Sequence, residues 1–395
     1  MNLKLLTKAV QEYINANLKA DVNQIALAKS KFEGISSSEL AGQILSKKKS
    51  EKKLPAWFNT PGIYYPAALS IEQTSSEITA SYKSKLAIGH SLIDLTGGFG
   101  IDANYFAKKI NTVTHCEINS ELSAIAAHNA DILKSNNIEF KAVDGLAFIK
   151  TTHQRYDTIY VDPARRANIG KVFMLKDCTP DVSRNLDLLL EKSQRIVIKT
   201  APLLDITAGL NELRCVSEIH IVSVKNECKE LLWVIDLDFT GEPQIIAASL
   251  NETEKVFSFK RSESSVNLKY AENLSSFNYL YEPDTALLKS GAFNLIGERY
   301  NLVKLHPQTQ LYASNVINNN FPGRIFEIEQ QLTTTDLKKA VDLTGNIIVR
   351  NYPAKPEDLS KKYKIKSAAQ DQFLIFTKTA GNENIILNAR IIQHY

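Results

Sequence analysis

The chain has 395 residues, of which 44% are hydrophobic and 23% charged, so we expect folded domains with a sizeable core and little disorder. A formal net charge of +4 is too small to make the whole surface a nucleic-acid ligand, and any such affinity must come from local basic patches. No stretch approaches the ~18 apolar residues of a membrane span, and the four cysteines show neither a C-x-x-C pair nor metal spacing, which fits reduced thiols. We therefore expect a cytoplasmic protein without a membrane segment or a metal site.

The N-terminal part of the chain predicts helices. Apolar residues recur at helical spacing from Leu3 to about Lys53. Pro55, Pro61 and Pro66 stand among aromatic residues and predict a rigid, non-helical loop. Helical spacing then resumes from Ile71 to Leu86.

A glycine-rich turn follows the first strand. Ile93 to Ile101 reads as a hydrophobic strand that ends at Asp94 and leads through glycines into a helix. Glycines let the backbone turn tightly and approach a ligand without a Cβ in the way, and the helix that follows presents free N–H groups. The segment therefore predicts a cradle for a nucleoside cofactor, built from Asp94, Thr96, Gly97, Gly98 and Gly100.

Strands and helices alternate after this turn, which predicts a mostly parallel sheet covered on both faces. The further strands are expected at Thr112–Glu117, Ile138–Asp144, Tyr156–Asp162 and Arg195–Lys199. Carboxylates end most of these strands, and the carboxyl ends of parallel strands share one edge of the sheet, so these acids should converge on one crevice. Two apolar runs, Ser217–Val224 and Leu231–Phe239, are separated by too few residues for a crossover helix and predict an antiparallel hairpin.

A parallel sheet finished by such a hairpin resembles the class I methyltransferases, which use S-adenosylmethionine. The expected fold is α/β, a Rossmann-like class I methyltransferase sheet with an antiparallel terminal hairpin, preceded by helices and followed by small α+β domains. Gly98–Ala103 also satisfies the loose dinucleotide pattern G-x-G-x-x-[GA]. Asp94 favours S-adenosylmethionine, because a carboxylate suits its cationic end and would repel dinucleotide phosphates.

Two further acids complete the predicted cofactor site. Glu117 follows the glycine turn at the ~20-residue separation expected of an acid that binds ribose hydroxyls; a solvated strand-end acid is the alternative. Asp144, before Gly145, would lie near the exocyclic amine of adenine, although a simple turn uses the same dipeptide.

The segment Asp162-Pro163-Ala164-Arg165-Arg166 resembles the D-P-P-[YFW] or D-P-A-R element of nucleic-acid methyltransferases. The resemblance implies that Asp162 and Pro163 orient a planar acceptor, and that Arg165 or Arg166 contacts phosphate or stacks on a base. Asp162, Pro163 and Arg165 are thus the candidate catalytic residues, with Asp162 as proton acceptor.

Two known chemistries fit this element less well. Arg165 stands where an aromatic residue would stack on the target, which disfavours methylation of an exocyclic adenine amine. The D-P-A-R spelling is similar to that of uracil C5 methyltransferases, whose cysteine nucleophile follows the fifth strand. Lys199–Pro202 contains no cysteine, so that route lacks its reagent. We interpret Cys178 as structural.

Several segments together resemble a bacterial family of class I methyltransferases with a THUMP-like C-terminal domain. They are Leu69–Thr96, the Asp-Pro-Ala-Arg-Arg element and Phe321–Arg324. In that family the segment before the first strand borders the cofactor, which implies cofactor-binding roles for Gln73 and Ser75; the alternative for this segment is a helix capping box. The resemblance runs from about Lys53 to the end.

This resemblance and the change of pattern along the chain suggest four regions. A polar connector is expected after Phe239, and the last region should be a small α+β unit. The expected regions are a helical N-terminal region at 1–84, a methyltransferase domain at 85–245, a connector with a small ferredoxin-like domain at 246–321 and a THUMP-like domain at 322–395. The elements expected in the last region are strands at Arg324–Gln331, Asn346–Tyr352, Phe373–Thr377 and Ile385–Ile391, and a helix at Thr335–Leu343.

The expected function is methylation of a base in tRNA or rRNA, because THUMP domains usually bind RNA. Two lysine-rich stretches fit phosphate contacts or solvated helix ends equally well. They comprise Lys47, Lys48, Lys49, Lys52 and Lys53, and Lys361, Lys362, Lys364 and Lys366. The alternatives are a small-molecule methyltransferase, and an RNA-binding protein with a vestigial catalytic domain.

Overall fold

The computed structural model describes residues 1–165, 174–367 and 371–395. The described chain divides into a first unit, 1–217 with 232–241, and a second unit, 218–231 with 242–395. Within the described residues, no helix has both the length and the apolar character needed to span a membrane.

Helices fill the N-terminal part of the first unit, as predicted. A 3-10 turn at Leu3–Leu6 precedes α1 Lys8–Ala16, α2 Val22–Leu27, α3 Ser37–Ser50, α4 Pro55–Asn59, α5 Ala68–Gln73 and α6 Glu77–Ser84. The predicted non-helical loop is wrong at its start, because Pro55 takes the first position of α4, where the missing N–H is not needed. The predicted helix from Ile71 is interrupted between α5 and α6, where the Ser76 side chain caps α6.

The rest of the first unit is built around a parallel sheet. The strands of this sheet in the first unit are β1 Ser91–Asp94, β2 Thr112–Cys116, β3 Ile138–Lys141, β4 Tyr156–Val161 and β7 Ser193–Thr200. The short strands β5 Ala164–Arg165 and β6 Cys178–Thr179 form a separate antiparallel pair. The helices of this part of the unit are α7 Ile101–Ala107, α8 Ser120–Ile132, α9 Gly145–Thr151, α10 Val182–Lys192 and α11 Ile206–Glu212, with a 3-10 turn at Leu175–Asp177.

The strand order confirms the predicted sheet. It runs β3-β2-β1-β4-β7, and the pairs within it are parallel. Ile159 in β4 and Ile196 to Ile198 in β7 are fully buried, as expected of central strands covered on both faces. Because the strands run in one direction, their carboxyl ends at Asp94, Cys116 and Val161 share one edge.

The predicted hairpin consists of β8 Val216–Val224 and β9 Glu227–Asp236. These strands are neighbours in the sheet. Lys225 and Asn226 between them both have positive φ, 51° and 58°, as the tight turn of an antiparallel hairpin requires. The hairpin therefore provides the reversal of direction that the class I methyltransferase sheet calls for.

The polar connector predicted after Phe239 is wrong for its first part. Residues 244–260 form β10 Gln244–Leu250 and β11 Glu254–Lys260, which pair antiparallel, while β10 also pairs parallel with β8. Ile245, Ala247, Phe257 and Phe259 are buried. Neither run alternates strictly between apolar and polar residues, because Ile245 is adjacent to Ile246 and Val256 to Phe257, so the period-2 pattern of a strand is weak here.

Most of the second unit is organised by another sheet. Its strands are β12 Tyr279–Pro283, β13 Val303–His306, β14 Thr309–Ser314, β15 Gly323–Leu332, β16 Asn346–Val349, β17 Gln372–Lys378 and β18 Asn384–Gln393. Its helices are α12 Thr285–Ser290, α13 Phe293–Arg299, α14 Thr334–Lys339 and α15 Pro356–Tyr363, with 3-10 turns at Arg261–Ser264 and Leu274–Ser276. The strand order among the described residues is β13-β14-β12-β15-β18-β17-β16.

The predicted C-terminal strands agree with this sheet, with small differences in the helices. Helix α14 ends at Lys339 instead of Leu343, and α15 was not expected. Strand β12 pairs antiparallel with β15, so strands from both sides of the proposed 321/322 boundary share one sheet. We keep that boundary as a proposal about domain families.

A buried carboxylate joins the two motifs of this unit. The register places Glu282 of β12 opposite Arg324 of β15, and Glu282 is 3% exposed. Its carboxylate accepts hydrogen bonds from Arg324 Nε at 2.9 Å, Arg350 Nε at 2.8 Å and the Tyr395 hydroxyl at 3.1 Å. This carboxylate therefore links the segment Tyr279–Asp284 to the segment Phe321–Arg324.

We predict that Glu282→Gln lowers the free energy of unfolding by about 3 kcal/mol, because it leaves the largely buried Arg324 without its carboxylate partner. Urea denaturation of the full chain measures this change. Glu327→Gln is the matched control, since Glu327 pairs with the half-exposed Arg390 and such pairs contribute little. Equal losses in both variants would contradict the assignment.

Candidate active site

The glycine turn after β1 forms an open cradle. Gly98 and Gly100 have φ of +54° and +81°, which other residues adopt only with strain. A Cβ built on Gly98 would meet only the Thr96 carbonyl oxygen, 3.9 Å away. Among the described residues other than its chain neighbours, no other atom lies within 4 Å of that position, so the loop leaves room beside Gly98 for a ligand that approaches the backbone.

The side chain of a buried histidine, His115, packs against the same loop. A Cβ on Gly97 would overlap the imidazole of His115, so only glycine fits there. His115 is fully buried, and burial lowers its pKa to about 4, which makes it neutral at physiological pH. Sequence reasoning missed His115; the only signal was a polar residue inside a buried strand.

Glu117 lies directly against the loop. Its carboxylate accepts hydrogen bonds from the Gly98 N–H at 2.9 Å and the Asn119 N–H at 2.7 Å. The side chain is partly exposed, so it remains accessible beside the cradle. This position fits the expected contact with ribose hydroxyls, which stays a proposal.

Asp144 caps a neighbouring helix. It is exposed, and its carboxylate accepts a hydrogen bond from the Ala147 N–H at 2.9 Å at the start of α9. A Cβ on Gly145 would overlap the backbone of Leu95, so α9 begins in close contact with the end of β1. The contact explains Gly145 and brings Asp144 near the loop, while the adenine contact stays a proposal.

The buried side chain of Asp94 accepts hydrogen bonds from the loop. It is 1% exposed and accepts hydrogen bonds from the Thr96 N–H at 2.9 Å and the Thr96 hydroxyl at 3.4 Å. Burial raises the pKa of Asp94 to about 8, and the nearby carboxylates of Asp102 and Asp162 act in the same direction. Such burial favours a role in shaping the loop over the direct contact with a cationic ligand that the strand-end position suggested.

Ser75 belongs to a buried network, and Gln73 does not. The Ser75 hydroxyl donates to Asp102 Oδ2 at 2.9 Å and accepts from Lys83 Nζ at 2.5 Å. Gln73 is exposed at the end of α5, and the contacts of the described chain give its side chain no hydrogen bond. The Ser75 hydroxyl is thus occupied by protein partners, whereas the exposed Gln73 side chain is accessible to a ligand.

The centre of this network is an ion pair that sequence reasoning missed. Lys83 Nζ lies 2.9 Å from Asp102 Oδ1, Lys83 is fully buried, and the Tyr160 hydroxyl donates to Asp102 at 2.9 Å. Burial alone would raise the pKa of Asp102, but the ammonium groups of Lys83 and Lys199 and the hydrogen bonds from Lys83 and Ser75 lower it below its usual value. Asp102 is thus ionised and ties α6, α7 and β4 together.

Asp162 follows the end of β4 and lies next to the glycine loop after β1. Its backbone N–H donates to the Thr96 hydroxyl at 2.7 Å, and its carboxylate pairs with Lys199 Nζ at 2.5 Å. Pro163 is buried. The structure therefore brings Thr96 and Asp162 together as the strand ends predicted, and adds Lys199.

The remaining residues of this element are described only in part. The backbone of Arg165 belongs to β5 and pairs with Cys178 of β6, which agrees with a structural place for Cys178. The side chain of Arg165 and the whole of Arg166 lie outside the described residues. Among those that are described, no group of three or more His, Cys, Asp or Glu side chains could hold a metal ion.

The lysine-rich stretches differ in character. Lys47 is buried over the rings of Phe58 and Tyr65, Lys49 pairs with Glu72, and Lys53 Nζ donates to the Glu72 carbonyl at 2.6 Å. Lys47, Lys49 and Lys53 thus have partners within the protein, while Lys48 and Lys52 are exposed.

The second stretch keeps a charged surface. Lys366 pairs with Asp342 at 2.6 Å, whereas Lys361, Lys362 and Lys364 are exposed. A phosphate contact is thus better supported at the end of α15 than at the end of α3.

Family models match the C-terminal part of the chain: a ferredoxin-like domain at residues 279–322 and a THUMP domain-like model at 323–390. The crystal structure of a proposed methyltransferase from Porphyromonas gingivalis W83 is 33% identical, has a TM-score of 0.85 and covers 99% of this chain and 98% of that one. An uncharacterized S-adenosylmethionine-dependent methyltransferase from Mycobacterium tuberculosis H37Rv is 21% identical over 327 residues, which is 79% of this chain and 84% of the relative. An uncharacterized RNA methyltransferase from Mycoplasma mobile is 32% identical over 79 residues, 20% of this chain and 22% of the relative.

The fold and the open glycine cradle define a class I methyltransferase, an enzyme that uses S-adenosylmethionine. The chain belongs to the bacterial family of these enzymes that carries a ferredoxin-like and a THUMP-like domain at the C-terminus.

We predict that Asp94→Asn changes how stability depends on pH. Because the pKa of Asp94 is about 8 in the folded protein against a usual 3.8, only the unfolded chain releases this proton between those pH values, and stability falls as pH rises through them. The variant lacks this loss, so its stability relative to wild type should increase by about 2–5 kcal/mol from pH 4 to pH 8.

Denaturation at a series of pH values measures this effect. Asp157→Asn serves as the control of opposite sign, because hydrogen bonds from the backbone N–H of His90, and then of Ser91, lower the pKa of Asp157. That variant should lose stability relative to wild type as pH rises through the acidic range. A constant difference between Asp94→Asn and wild type at all pH values would contradict the raised pKa.

Proposed function

We propose that this enzyme transfers the methyl group of S-adenosylmethionine to a base of RNA, either tRNA or rRNA. The observation that carries the proposal is the position of Asp162, a partly exposed carboxylate held between the cofactor loop and Lys199. The THUMP-like region and the RNA methyltransferase named among the relatives favour a nucleic-acid acceptor.

The proposed cofactor site lies at the edge where β1, β2 and β4 end. The loop at Gly97, Gly98 and Gly100 provides the open backbone surface, and Glu117 lies against it. We assign ribose binding to Glu117 and the adenine side to Asp144. Asp94, Thr96 and Ser75 act by holding the loop and its supporting network in place.

The chemistry at the acceptor is an in-line displacement. The donor supplies a methyl carbon bound to a positively charged sulfur; as the acceptor's lone pair forms its bond to this carbon, the carbon–sulfur bond breaks and its electrons remain on sulfur. If the acceptor is an N–H group, its proton passes to the Asp162 carboxylate and then to solvent. Asp162 and the Pro163 carbonyl orient the base, and Arg165 contacts phosphate or stacks on a base.

The nucleoside that is modified can be identified in cells. We expect cells without this gene to lose one methylated nucleoside from total RNA, measured by mass spectrometry, and the wild-type gene to restore it. Asp162→Asn should not restore it, because the purified variant should bind S-adenosylmethionine within about threefold of wild type but transfer methyl at least about 100-fold more slowly.

Asp187→Asn is the matched control for that experiment. Asp187 is exposed and pairs with the exposed Arg214, so this variant should restore the nucleoside fully. No missing nucleoside in the deletion strain would reject an RNA substrate. Restoration by Asp162→Asn would reject the proposed acceptor site, and the absence of saturable S-adenosylmethionine binding would indicate a vestigial catalytic domain.

RNA binding should depend on the lysines at the end of α15. The double change Lys361→Glu and Lys362→Glu should weaken binding of total RNA by about fivefold or more and reduce its salt dependence, because two phosphate contacts are lost. Filter binding over a series of salt concentrations measures both quantities. Lys338→Glu with Lys339→Glu, also exposed and in α14, is the matched control; equal losses in both variants would contradict a specific surface at α15.

A further inference from the structure

We infer that Lys199 is a positioning residue for methyl transfer, which holds the Asp162 carboxylate in its orientation toward the acceptor. The inference rests on the proposed function, because it concerns the same acceptor site. Lys199 has an assignable role only once β4 and β7 are placed side by side.

The sheet brings the two residues together. Strand β7 pairs parallel with β4, and the register places Val161 opposite Ile198. Lys199 is the next residue of β7, and Asp162 is the first residue after β4, so the two side chains start side by side at the carboxyl edge of the sheet. The strand register therefore brings Lys199 next to Asp162.

The burial of Lys199 gives its pairing a physical reason. Ile196, Val197 and Ile198 before it are fully buried, and the Lys199 side chain is only 17% exposed against 33% for Asp162. A mostly buried ammonium is costly unless an opposite charge accompanies it. Asp162 provides that charge at 2.5 Å.

Asp162 is held at both its backbone and its side chain. The Thr96 hydroxyl accepts from its N–H at 2.7 Å, while Lys199 contacts its carboxylate. Thr96 is part of the cofactor loop and also contacts Asp94. The acceptor-side carboxylate is thereby placed relative to the cofactor side by short, direct contacts.

The local charges also favour this role. Asp94, Asp102 and Asp162 are close enough to influence one another, and Lys83 and Lys199 are the cations that act on this group. Lys83 contacts Asp102 and Ser75, while Lys199 contacts Asp162. Without Lys199 the Asp162 carboxylate would lose the cation that pairs with it, and as the most exposed of the three acids it would turn toward water, which solvates an unpaired charge.

A displaced Asp162 would affect transfer and leave donor binding intact. Methyl transfer requires the reacting atoms to lie about 3–3.5 Å apart and aligned, and a misplacement of about 1 Å can lower the rate ~100-fold. The loop that would hold the donor follows β1. It is held by separate hydrogen bonds, from the Thr96 N–H to Asp94 and from the Gly98 N–H to Glu117. A defect confined to Asp162 should therefore appear in kcat.

The test compares Lys199→Met, Lys199→Arg and Lys192→Met in the full chain. Methyl transfer is measured from tritiated S-adenosylmethionine to total RNA from cells lacking the gene, and donor binding by calorimetry. Lys199→Met should lower kcat by about 30–100-fold with donor affinity within about threefold of wild type, and Lys199→Arg should recover most of kcat because it keeps a cation that pairs with carboxylates. Lys192 lies just before the other end of β7, where its Nζ donates to the Thr152 carbonyl at 2.8 Å, and Lys192→Met should behave as wild type.

Each outcome of these measurements either supports or overturns the positioning role of Lys199. Wild-type kcat in Lys199→Met, an equal loss in Lys192→Met, or a parallel loss of donor affinity would overturn the positioning role. If the wild-type enzyme transfers nothing to this RNA, the proposed substrate class fails separately. Crystal structures of wild type and Lys199→Met then decide the inference: an Asp162 carboxylate moved by about 1 Å or more supports it, and an unmoved one overturns it.

Discussion

The candidate site depends on the buried ion pair between Lys83 and Asp102. The Lys83 ammonium has no exposure to solvent and is stabilised by its contacts with Asp102 and Ser75, and removal of one partner from such a pair is strongly destabilising. The pair joins the helix before β1 to the helix after the glycine loop, and Tyr160 adds β4 through its hydroxyl. Helix α6 is therefore joined to the glycine loop, because its Lys83 pairs with Asp102 in the helix that follows the loop.

Sequence patterns predicted the features that depend on one element at a time. Glu117 and Asp162 could be placed because each ends a strand, and parallel strands end at a common edge. Lys83, Asp102 and Lys199 could not, since each has meaning only through a partner on another element, and a lysine in a helix or at a strand end is usually solvated. Lys47 in the first lysine stretch is neither solvated nor free for phosphate, because it lies over the rings of Phe58 and Tyr65. The local sequence does not reveal these partners. The strands β10 and β11 were missed because apolar and polar residues do not alternate strictly in either of them.

The second unit shows how two short motifs become interpretable in three dimensions. Glu282 and Arg324 are far apart in sequence, yet the antiparallel register of β12 and β15 places them opposite each other. Arg350 and Tyr395 complete the hydrogen bonds of the buried carboxylate. The aromatic rings of Phe326, Phe373 and Tyr395 cover the Arg324 guanidinium, which explains why arginine and not lysine suits this position. The two segments therefore stabilise the sheet through the hydrogen bonds of the Glu282 carboxylate.

The roles of Asp94, Asp102 and Asp162 in the first unit differ with the exposed fraction of each side chain. Asp94 is 1% exposed and near pH 7 holds a proton, as its pKa of about 8 implies, so it shapes the loop without adding charge. The Asp102 side chain is 12% exposed and satisfied by Lys83, which makes it a structural anion. The Asp162 side chain is 33% exposed, so it is oriented from within by Thr96 and Lys199 while part of its surface faces outward. A carboxylate must be both fixed and accessible to orient an acceptor, and of these three only Asp162 meets both conditions.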